Sequence, residues 1–539
     1  MPILARTQRM IRLTIVAAAY AALAAPRAAA QQRESNLTVP TLIVFVTVDQ
    51  MRADYFERFL PQLTGGLGRL YRGGAVYIDA HQDHAITETA PGHSVTMSGR
   101  FPGHTGIVAN AFGVSDPQSP MIGGGGPGAS PLRFRGTTLT DWIRSKDPRS
   151  RALSVSRKDR GAILPIGRSK QSVFWYAMDG RFTTSSYYAD TLPTWLNEFN
   201  AKKIPQTYAG NVWDLLLPAK QYPEPDTVAQ ENFGNGVALP HGFPTDPTQA
   251  ARLFSEFPPM DSLIAQAALA GVNGMRLGAG PQTDILAVSF STTDAVGHRF
   301  GPDSRELHDQ IVRLDRYFGI FIDSLYKLRD SSHIAIALTA DHGVAPYPEL
   351  RAAREHKTAE RVDLWPVIDR VVARLKAAHV DTTAVVLEEG MLTLDHAALS
   401  KGGLPPDSVL NAVVAMLRRV TGVARVDRVR DLARADTSRD AVARRWLHML
   451  PPDARVEAVI SLAPYAYYRG VDMATHGTPN DYDSHVPEIF YGPWFIPGRY
   501  GQRSTVADMA PTLAAIADVS PTEALDGRAH LDAIRKPAP

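Results

Sequence analysis

The 539-residue sequence contains no cysteine. This absence excludes disulfide bonds, thiolate metal sites and a cysteine nucleophile, so histidine and carboxylate side chains must hold any metal. Long blocks of one charge sign are absent too, and hydrophobic residues make up 44% of the chain. Such a composition is typical of a soluble folded protein and indicates neither intrinsic disorder nor nucleic-acid binding.

The first thirty residues have the pattern of an export signal. Arg6, Arg9 and Arg12 precede an apolar run over residues 13–25, and small residues follow it. The run is shorter than the roughly 20 residues that a membrane span needs, and no cysteine is present for lipid attachment. We therefore predict a secretory signal peptide over residues 1–30 and a periplasmic or secreted protein with no membrane span in the mature chain.

Three apolar, β-branched runs occupy residues 41–48, 284–290 and 333–339. Such runs are typical of strands that are buried on both faces of a largely parallel sheet. In residues 304–329 apolar side chains recur every three or four positions, which predicts a helix that covers the sheet. We therefore predict an α/β fold with a central, largely parallel sheet flanked by helices on both faces.

Two regions have the composition of insertions into this core. Residues from about 111 to 280 are rich in glycine, proline and aromatic side chains, and residues from about 350 to 469 mix helical and strand-like patterns. We predict one catalytic domain over residues 31–539 that carries both regions as α+β caps.

Acidic and histidine residues follow each of the three predicted strands. Asp49 follows the first, Asp294 and His298 the second, and Asp341 and the adjacent His342 the third. An isolated Asp-His pair is more often structural than metal-binding, but the carboxyl ends of strands in an open α/β sheet are where ligands bind. Together with one later histidine, these residues offer six oxygen and nitrogen ligands, which suits two metal ions such as zinc.

Residues 87–94 (TETAPGHS) resemble the nucleophile motif of the alkaline phosphatase superfamily. The resemblance is to the branch of type I phosphodiesterases and nucleotide pyrophosphatases, in which the threonine two residues before a proline is the nucleophile. Thr89 has that position, and Asn110 matches the asparagine that binds a nonbridging phosphoryl oxygen. The resemblance covers nearly the whole mature chain through residues 339–343 (TADHG), 475–477 (THG), 508–513 (DMAPTL) and 526–528 (DGR).

The resemblance implies a set of ligands for each of two Zn²⁺ ions. The first ion would activate Thr89, which also coordinates it, and the second would stabilise the leaving oxygen and later activate water. The implied ligands are Asp49, Asp341 and His342 for the first ion and Asp294, His298 and His476 for the second.

The last of these ligands has an alternative. His476 is preferred because the family ligand stands in a His-Gly pair, which residues 476–477 reproduce. His485 is the second candidate. His93 lies within the nucleophile motif and is expected to orient the turn instead of binding metal.

Lys158 and Arg160 bear on the choice of substrate. We predict that they lie on one face of an extended segment, since they are two residues apart. An arbitrary Lys-Asp-Arg run is usually a solvated loop, but residues 158–165 (KDRGAILP) resemble bacterial alkaline phosphatases in which a lysine and an arginine grip the phosphoryl group. A monoester carries one more negative charge than a diester, so this pair favours a monoester.

The sequence thus predicts a zinc-dependent alkaline phosphatase that hydrolyses small-molecule phosphate monoesters through a phosphothreonine. A phosphodiesterase or nucleotide pyrophosphatase is the main alternative, and an inactive zinc-binding homologue is a weaker one. A sulfatase is disfavoured because its Cys/Ser-x-Pro-x-Arg motif is missing. The natural ester and the oligomeric state are not predicted.

Overall fold

The computed structural model describes residues 38–124, 126–356 and 361–536. The predicted signal peptide, residues 1–30, lies outside this range. The strands are β1 (Leu42–Val48), β2 (Ala75–His81), β3 (Ala152–Ser156), β4 (Ser172–Tyr176), β5 (Phe182–Thr183), β6 (Val212–Trp213), β7 (His241–Gly242), β8 (Asp284–Phe290), β9 (Ile334–Thr339), β10 (Arg361–Val362), β11 (Val385–Glu388), β12 (Met391–Leu394), β13 (Val423–Arg428), β14 (Val456–Leu462), β15 (Tyr467–Tyr468), β16 (Glu488–Tyr491) and β17 (Gly498–Thr505).

Helices alternate with these strands along much of the chain. They are α1 (Asp54–Phe59), α2 (Gly66–Gly73), α3 (Thr89–Thr96), α4 (Pro102–Thr105), α5 (Leu139–Lys146), α6 (Asp159–Ile163), α7 (Thr194–Ala201), α8 (Pro247–Leu253), α9 (Pro259–Gly274), α10 (Thr292–Phe300), α11 (Arg305–Leu328), α12 (Pro348–Glu355), α13 (Trp365–Ala377), α14 (His396–Lys401), α15 (Pro406–Leu417), α16 (Val429–Leu432), α17 (Ala441–Met449), α18 (Asp481–Ser484) and α19 (Met509–Ile516).

A nine-stranded sheet forms the centre, in the order β17-β2-β16-β9-β1-β8-β3-β4-β5. The pairs of β1 with β8 and β9, of β3 with β4 and β8, and of β17 with β2 are parallel, whereas β16 and β5 run antiparallel to their neighbours. The predicted largely parallel sheet is therefore confirmed.

The three strands predicted from apolar runs lie side by side at the middle of the sheet. Every residue of β1, β8 and β9 is buried. Because successive side chains of a strand point to opposite faces, both faces must be covered. Helix α11 confirms the predicted sheet-covering helix; it begins where the Ser304 hydroxyl accepts a hydrogen bond from the Leu307 amide at 3.1 Å.

The first predicted insertion, residues 111–280, is in large part core. Strands β3, β4 and β5 lie within it and extend the central sheet, and α9 packs against β3 and β8. These strands are only two to five residues long and are separated by glycine- and proline-containing loops, so their apolar pattern is too brief to stand out from the sequence.

The second predicted insertion, residues 350–469, has a sheet and a core of its own. Its four strands have the order β11-β12-β14-β13 and pair antiparallel. Leu392, Leu417 and Ile460 are among the buried side chains that pack between this sheet and helices α13 and α15. We refer to residues 361–469 as the cap.

Within the described residues, every helix is too short or too polar to cross a membrane.

Candidate active site

Three neighbouring strands bring the predicted ligands to one edge of the sheet. In the order β9-β1-β8, Thr47 of β1 is in register with Thr339 of β9, and Val48 with Phe290 of β8. Asp49 therefore lies level with the loops that carry the later ligands, as parallel strands require.

One group of ligands is formed by Asp294, His298 and His476, whose donor atoms lie within 4.8 Å of one another. Helix α10 begins two residues after β8 and places Asp294 and His298 on the same side, with Nε2 of His298 3.2 Å from Oδ1 of Asp294. Nε2 of His476 lies 3.3 Å from Nε2 of His298. His476 comes from a loop almost two hundred residues later in the chain.

The three histidines of the site share one hydrogen-bonding pattern. Nδ1 of His298 donates to the carbonyl of Ala474 at 2.6 Å, Nδ1 of His476 to that of Thr87 at 2.7 Å, and Nδ1 of His342 to that of Gly343 at 2.9 Å. A proton held at Nδ1 leaves the lone pair of Nε2 directed into the site. This is the arrangement in which histidine binds metal.

A second group consists of Asp49, Asp294 and His342, all buried. Nε2 of His342 is 3.5 Å from Oδ1 of Asp49 and 3.6 Å from Oδ2 of Asp341. The donor atoms of this group lie within 4.8 Å of one another, and Asp294 therefore belongs to both groups. Oδ1 of Asp341 accepts hydrogen bonds from the amides of Gln50 and His342 at 3.1 and 3.0 Å.

The carboxylates of the site concentrate negative charge in a buried space. Burial and the neighbouring Asp294 and Asp341 raise the pKa of Asp49 to about 7. Burial would raise the pKa of Asp294 as well, but Lys158 and His298 hold it well below its usual value. Apart from the ammonium of Lys158, which lies 2.7 Å from Oδ2, no donor among the described residues approaches the oxygens of Asp49 to form a hydrogen bond. Buried carboxylates of this kind need cationic partners, and the donor set fits divalent metal ions.

Thr89 lies between these groups at the first position of α3. Its Oγ1 is 3.1 Å from Nζ of Lys158 and 3.5 Å from Nε2 of His342. A Cβ at Gly92 would collide with the carbonyl of Asp341, so only glycine allows α3 to approach the metal ligands this closely. His93 is buried beneath the turn, with Nδ1 2.9 Å from the carbonyl of Thr89 and 3.0 Å from Oδ2 of Asp341.

Lys158 occupies the space between the carboxylates. Its ammonium lies 2.7 Å from Oδ2 of Asp49 and 2.7 Å from Oδ2 of Asp294. Burial and the neighbouring Glu389 raise the pKa of Glu88 to about 7, and the positive charge of Arg160 acts in the opposite direction. Nε of Arg160 is buried without a hydrogen-bond acceptor among the described residues. The predicted extended segment is wrong, because α6 begins directly after Lys158 and contains Arg160. Chain direction changes at this point, and the two side chains reach different parts of the site.

Asn110 is held beside Thr89 by two hydrogen bonds. Its side-chain Oδ1 accepts a hydrogen bond from the backbone amide of Ala90 at 2.9 Å, and its backbone amide donates a hydrogen bond to Oε2 of Glu88 at 2.7 Å. Since the side-chain oxygen is used, the NH₂ group is the part of Asn110 that remains for a phosphoryl oxygen.

His485, the alternative to His476, lies outside both groups. Its Nε2 donates to the carbonyl of Ile78 at 3.0 Å, and its ring stacks on that of His81 with centroids 5.0 Å apart.

Gln50 is a site residue that the sequence reasoning missed. Its side-chain amide donates to Oδ1 of Asp294 at 3.1 Å, while its backbone adopts a φ of 66° in the left-handed region. A Cβ at Gly297 would collide with Oε1 of Gln50, so the glycine makes room for it. The only signal in the sequence was its position directly after Asp49.

Comparison with known proteins agrees with this geometry. Residues 43–403 match the family model of type I phosphodiesterase / nucleotide pyrophosphatase. The chain is 28% identical over 516 residues to alkaline phosphatase PhoV of Synechococcus elongatus, covering 92% of this chain and 93% of that protein. It is 30% identical over 512 residues to alkaline phosphatase PafA of Elizabethkingia meningoseptica, with 90% and 93% covered.

The fold matches solved structures of PafA. The crystal structure of the wild-type enzyme superimposes with a TM-score of 0.83 at 27% identity, covering 93% of this chain and 100% of that chain. A PafA structure in which a threonine, an asparagine, a lysine and an arginine are substituted together superimposes with a TM-score of 0.85. The chain is an enzyme that belongs to the type I phosphodiesterase / nucleotide pyrophosphatase family of the alkaline phosphatase superfamily, and it hydrolyses phosphate esters.

Proposed function

We propose that the protein is a zinc-dependent alkaline phosphatase that hydrolyses phosphate monoesters through a phosphothreonine at Thr89. The observation that carries the proposal is the position of the Thr89 hydroxyl, which is buried within 3.5 Å of both Nζ of Lys158 and Nε2 of His342. A structural threonine at a helix start has no need of these neighbours.

Two zinc ions fit the residues of the site. One would be held by Asp294, His298 and His476, and the other by Asp49 and His342 together with Asp341. Zinc bound there would lower the pKa of the Thr89 hydroxyl and offset the charge that develops on the leaving oxygen. The protein's own part is to hold each imidazole by its Nδ1 hydrogen bond, so that no reorganisation is needed when the metal binds.

The reaction has two displacements at phosphorus. The Thr89 hydroxyl loses its proton to solvent, and its Oγ forms a bond to phosphorus while the ester bond breaks and the alcohol leaves with a proton from solvent. Water then loses a proton and forms a bond to the same phosphorus, the bond to Thr89 breaks, Thr89 regains a proton, and inorganic phosphate is released. Lys158 and the NH₂ group of Asn110 are placed to bind phosphoryl oxygens during both steps.

The cationic groups around Thr89 support a monoester over a diester. Lys158 is nearly buried, with 9% of its side chain exposed, and Arg160 adds a second positive charge near Glu88. A monoester dianion gains more from these charges than a diester monoanion does. The PafA structure cited above is consistent with this, because its four substituted residue types are those of Thr89, Asn110, Lys158 and Arg160 in the same chain order.

A phosphodiesterase or nucleotide pyrophosphatase is the second candidate, favoured by the family match over residues 43–403. The deciding experiment compares kcat/KM for an aryl phosphate and for its methyl diester, with zinc and after chelation. We expect the monoester to react much faster and chelation to abolish both reactions. A faster diester would reject the monoester assignment, and turnover that survives chelation would reject the metal.

We also propose that the protein is exported, on the strength of the charged, apolar and small-residue pattern of residues 1–30. Sequencing the N-terminus of the mature protein from the periplasm or medium tests this directly.

A further inference from the structure

A cavity of about 200 Å³ lies between the sheet core and the cap, beside the candidate active site. Glu88 and His476 contribute to its wall on the side of the active site, and Glu389, Trp446 and Tyr468 of the cap contribute to the opposite wall. These cap residues are not among the residues that we propose to bind the metals or the phosphoryl group.

The cavity borders the candidate ligand group of Asp294, His298 and His476, because His476 is part of its wall. In an in-line displacement the leaving oxygen is opposite the attacking one. Thr89 contacts His342, whereas His476 belongs to the other ligand group and presents its Nε2 to His298 at 3.3 Å. His476 thus belongs both to the cavity wall and to the ligand group that, in the proposed reaction, would stabilise the leaving oxygen.

Three carboxyl groups line the cavity. Its lining includes the carboxyl groups of Glu88, Glu389 and Asp483, and no lysine or arginine stands among the described residues that line it. A cationic group in the cavity would therefore meet three carboxyl groups and no like charge from a lysine or arginine.

One of these carboxyl groups also lacks a partner for one of its oxygens. Asp483 is fully buried, and its Oδ2 accepts hydrogen bonds from the amide and hydroxyl of Thr478 at 2.9 and 2.6 Å. Oδ1 of Asp483 accepts none from the described residues. A buried oxygen without a hydrogen-bond donor is destabilising unless a ligand or a water molecule supplies one.

The walls supplied by the cap are aromatic and apolar. The indole NH of Trp446 donates to Oγ of Ser461 at 2.9 Å, so only the ring of Trp446 is left to contact a ligand. Burial, together with the nearby Glu389, raises the pKa of the Tyr468 phenol to about 12. Aromatic rings beside carboxylates form a favourable environment for organic cations.

We propose that this cavity receives the alcohol portion of the substrate and selects alcohols with a cationic or hydrogen-bond-donating group on an apolar body. The inference rests on the proposed monoesterase function, because it names the substrates of that same site. Alcohols that carry further negative charge are excluded by the carboxylates.

The test uses two esters of nearly equal shape. Choline phosphate carries a trimethylammonium group, and 3,3-dimethylbutyl phosphate has carbon in place of that nitrogen. The selectivity is the ratio of their kcat/KM values. Glu389→Gln should lower this ratio about tenfold, the effect of losing one favourable contact to a charged group. Glu388→Gln is the matched control, because Glu388 is the exposed neighbour in β11 and does not line the cavity.

A steric variant provides a second measurement that does not depend on charge. Val471 lines the cavity at a half-buried loop position, so Val471→Trp should narrow the space with little effect on folding. We expect it to lower kcat/KM for choline phosphate much more than for methyl phosphate. Thermal unfolding and zinc content identify any variant that is misfolded.

The outcomes separate the two proposals. If the wild-type protein with zinc hydrolyses none of these monoesters, the proposed function fails and this inference fails with it. If the esters are hydrolysed but Glu389→Gln leaves the selectivity unchanged and Val471→Trp slows all of them equally, only the role of the cavity is overturned.

Discussion

Nε2 of His298 and Nε2 of His476 face each other at 3.3 Å, and each ring donates a hydrogen bond from its Nδ1–H to a backbone carbonyl. Two such nitrogens cannot hydrogen-bond to each other while both are unprotonated, but both can bind the same cation. His476 therefore completes the group of Asp294 and His298 across a separation of 178 residues.

His476→Ala tests this relationship. We expect the zinc content to fall from about two ions per chain to about one, because three protein ligands are the minimum of a stable zinc site. Metal analysis after dialysis measures it. His485→Ala is the matched control and should keep both ions; two tightly bound ions in His476→Ala would contradict the ligand assignment.

Thr89→Ala should lower kcat for an aryl phosphate at least about a thousandfold, because the covalent step is lost. Zinc content should remain near the wild-type value, because the protein ligands are intact. Acid quenching during turnover should trap a phosphoprotein with wild type and Thr89→Ser but none with Thr89→Ala. A phosphorylated Thr89→Ala protein would reject the nucleophile.

Replacing both Lys158 and Arg160 by alanine should separate the two ester classes. Loss of charged contacts to the phosphoryl group is expected to lower kcat/KM for the monoester about a hundredfold and for the methyl diester far less. The control is Arg157→Ala in the same segment, since Arg157 pairs with Glu256 at 2.8 Å outside the site. If kcat/KM falls equally for both esters, the two cations do not account for a preference for monoesters.

The cap is joined to the core by Asp83, which follows β2. Arg444 of α17 contacts both oxygens of Asp83 at 2.8 and 3.0 Å, and buried Arg445 lies 3.4 Å from Oδ1. Asp83→Ala leaves Arg445 without this partner and should lower the free energy of unfolding by about 3–5 kcal/mol in urea titrations. Asp518→Ala removes an exposed pair with Lys146 and should lower the free energy of unfolding far less. Similar decreases in the free energy of unfolding in both variants would show that Asp83 contributes no more to stability than an exposed ion pair does.

Because of Asp83, we also expect the free energy of unfolding to depend on pH. Burial alone would raise the pKa of Asp83. Hydrogen bonds from His448 and Arg444 nevertheless hold this pKa far below its usual value. A folded-state pKa below the unfolded value means that the stabilisation is complete above about pH 4 and is lost as the pH falls further. Urea titrations of wild type and Asp83→Asn should therefore converge in acid; a constant difference down to pH 2 would contradict the assignment.

Much of the core could be read from local sequence. The runs that became β1, β8 and β9 are apolar at almost every position, because both faces of a central parallel strand are buried. Strands β3 to β5 could not be recognised in the same way, since two to five residues carry too little pattern to separate a sheet strand from a loop.

For the site, the sequence by itself determined the candidate residues and their type. A chain without cysteine must use histidine and carboxylate ligands, and the positions of Asp49, Asp294 and Asp341 after buried strands predicted that they would meet at one edge. Those inferences depend on residue chemistry and local periodicity, which the sequence carries directly.

Only the tertiary structure decided which residues come together. It placed His476 beside His298 and His485 on the carbonyl of Ile78, assigned Asp294 to both ligand groups, and brought Glu389 of the cap to Glu88. Contacts between residues hundreds of positions apart depend on how loops pack against the sheet, and no local pattern encodes that packing.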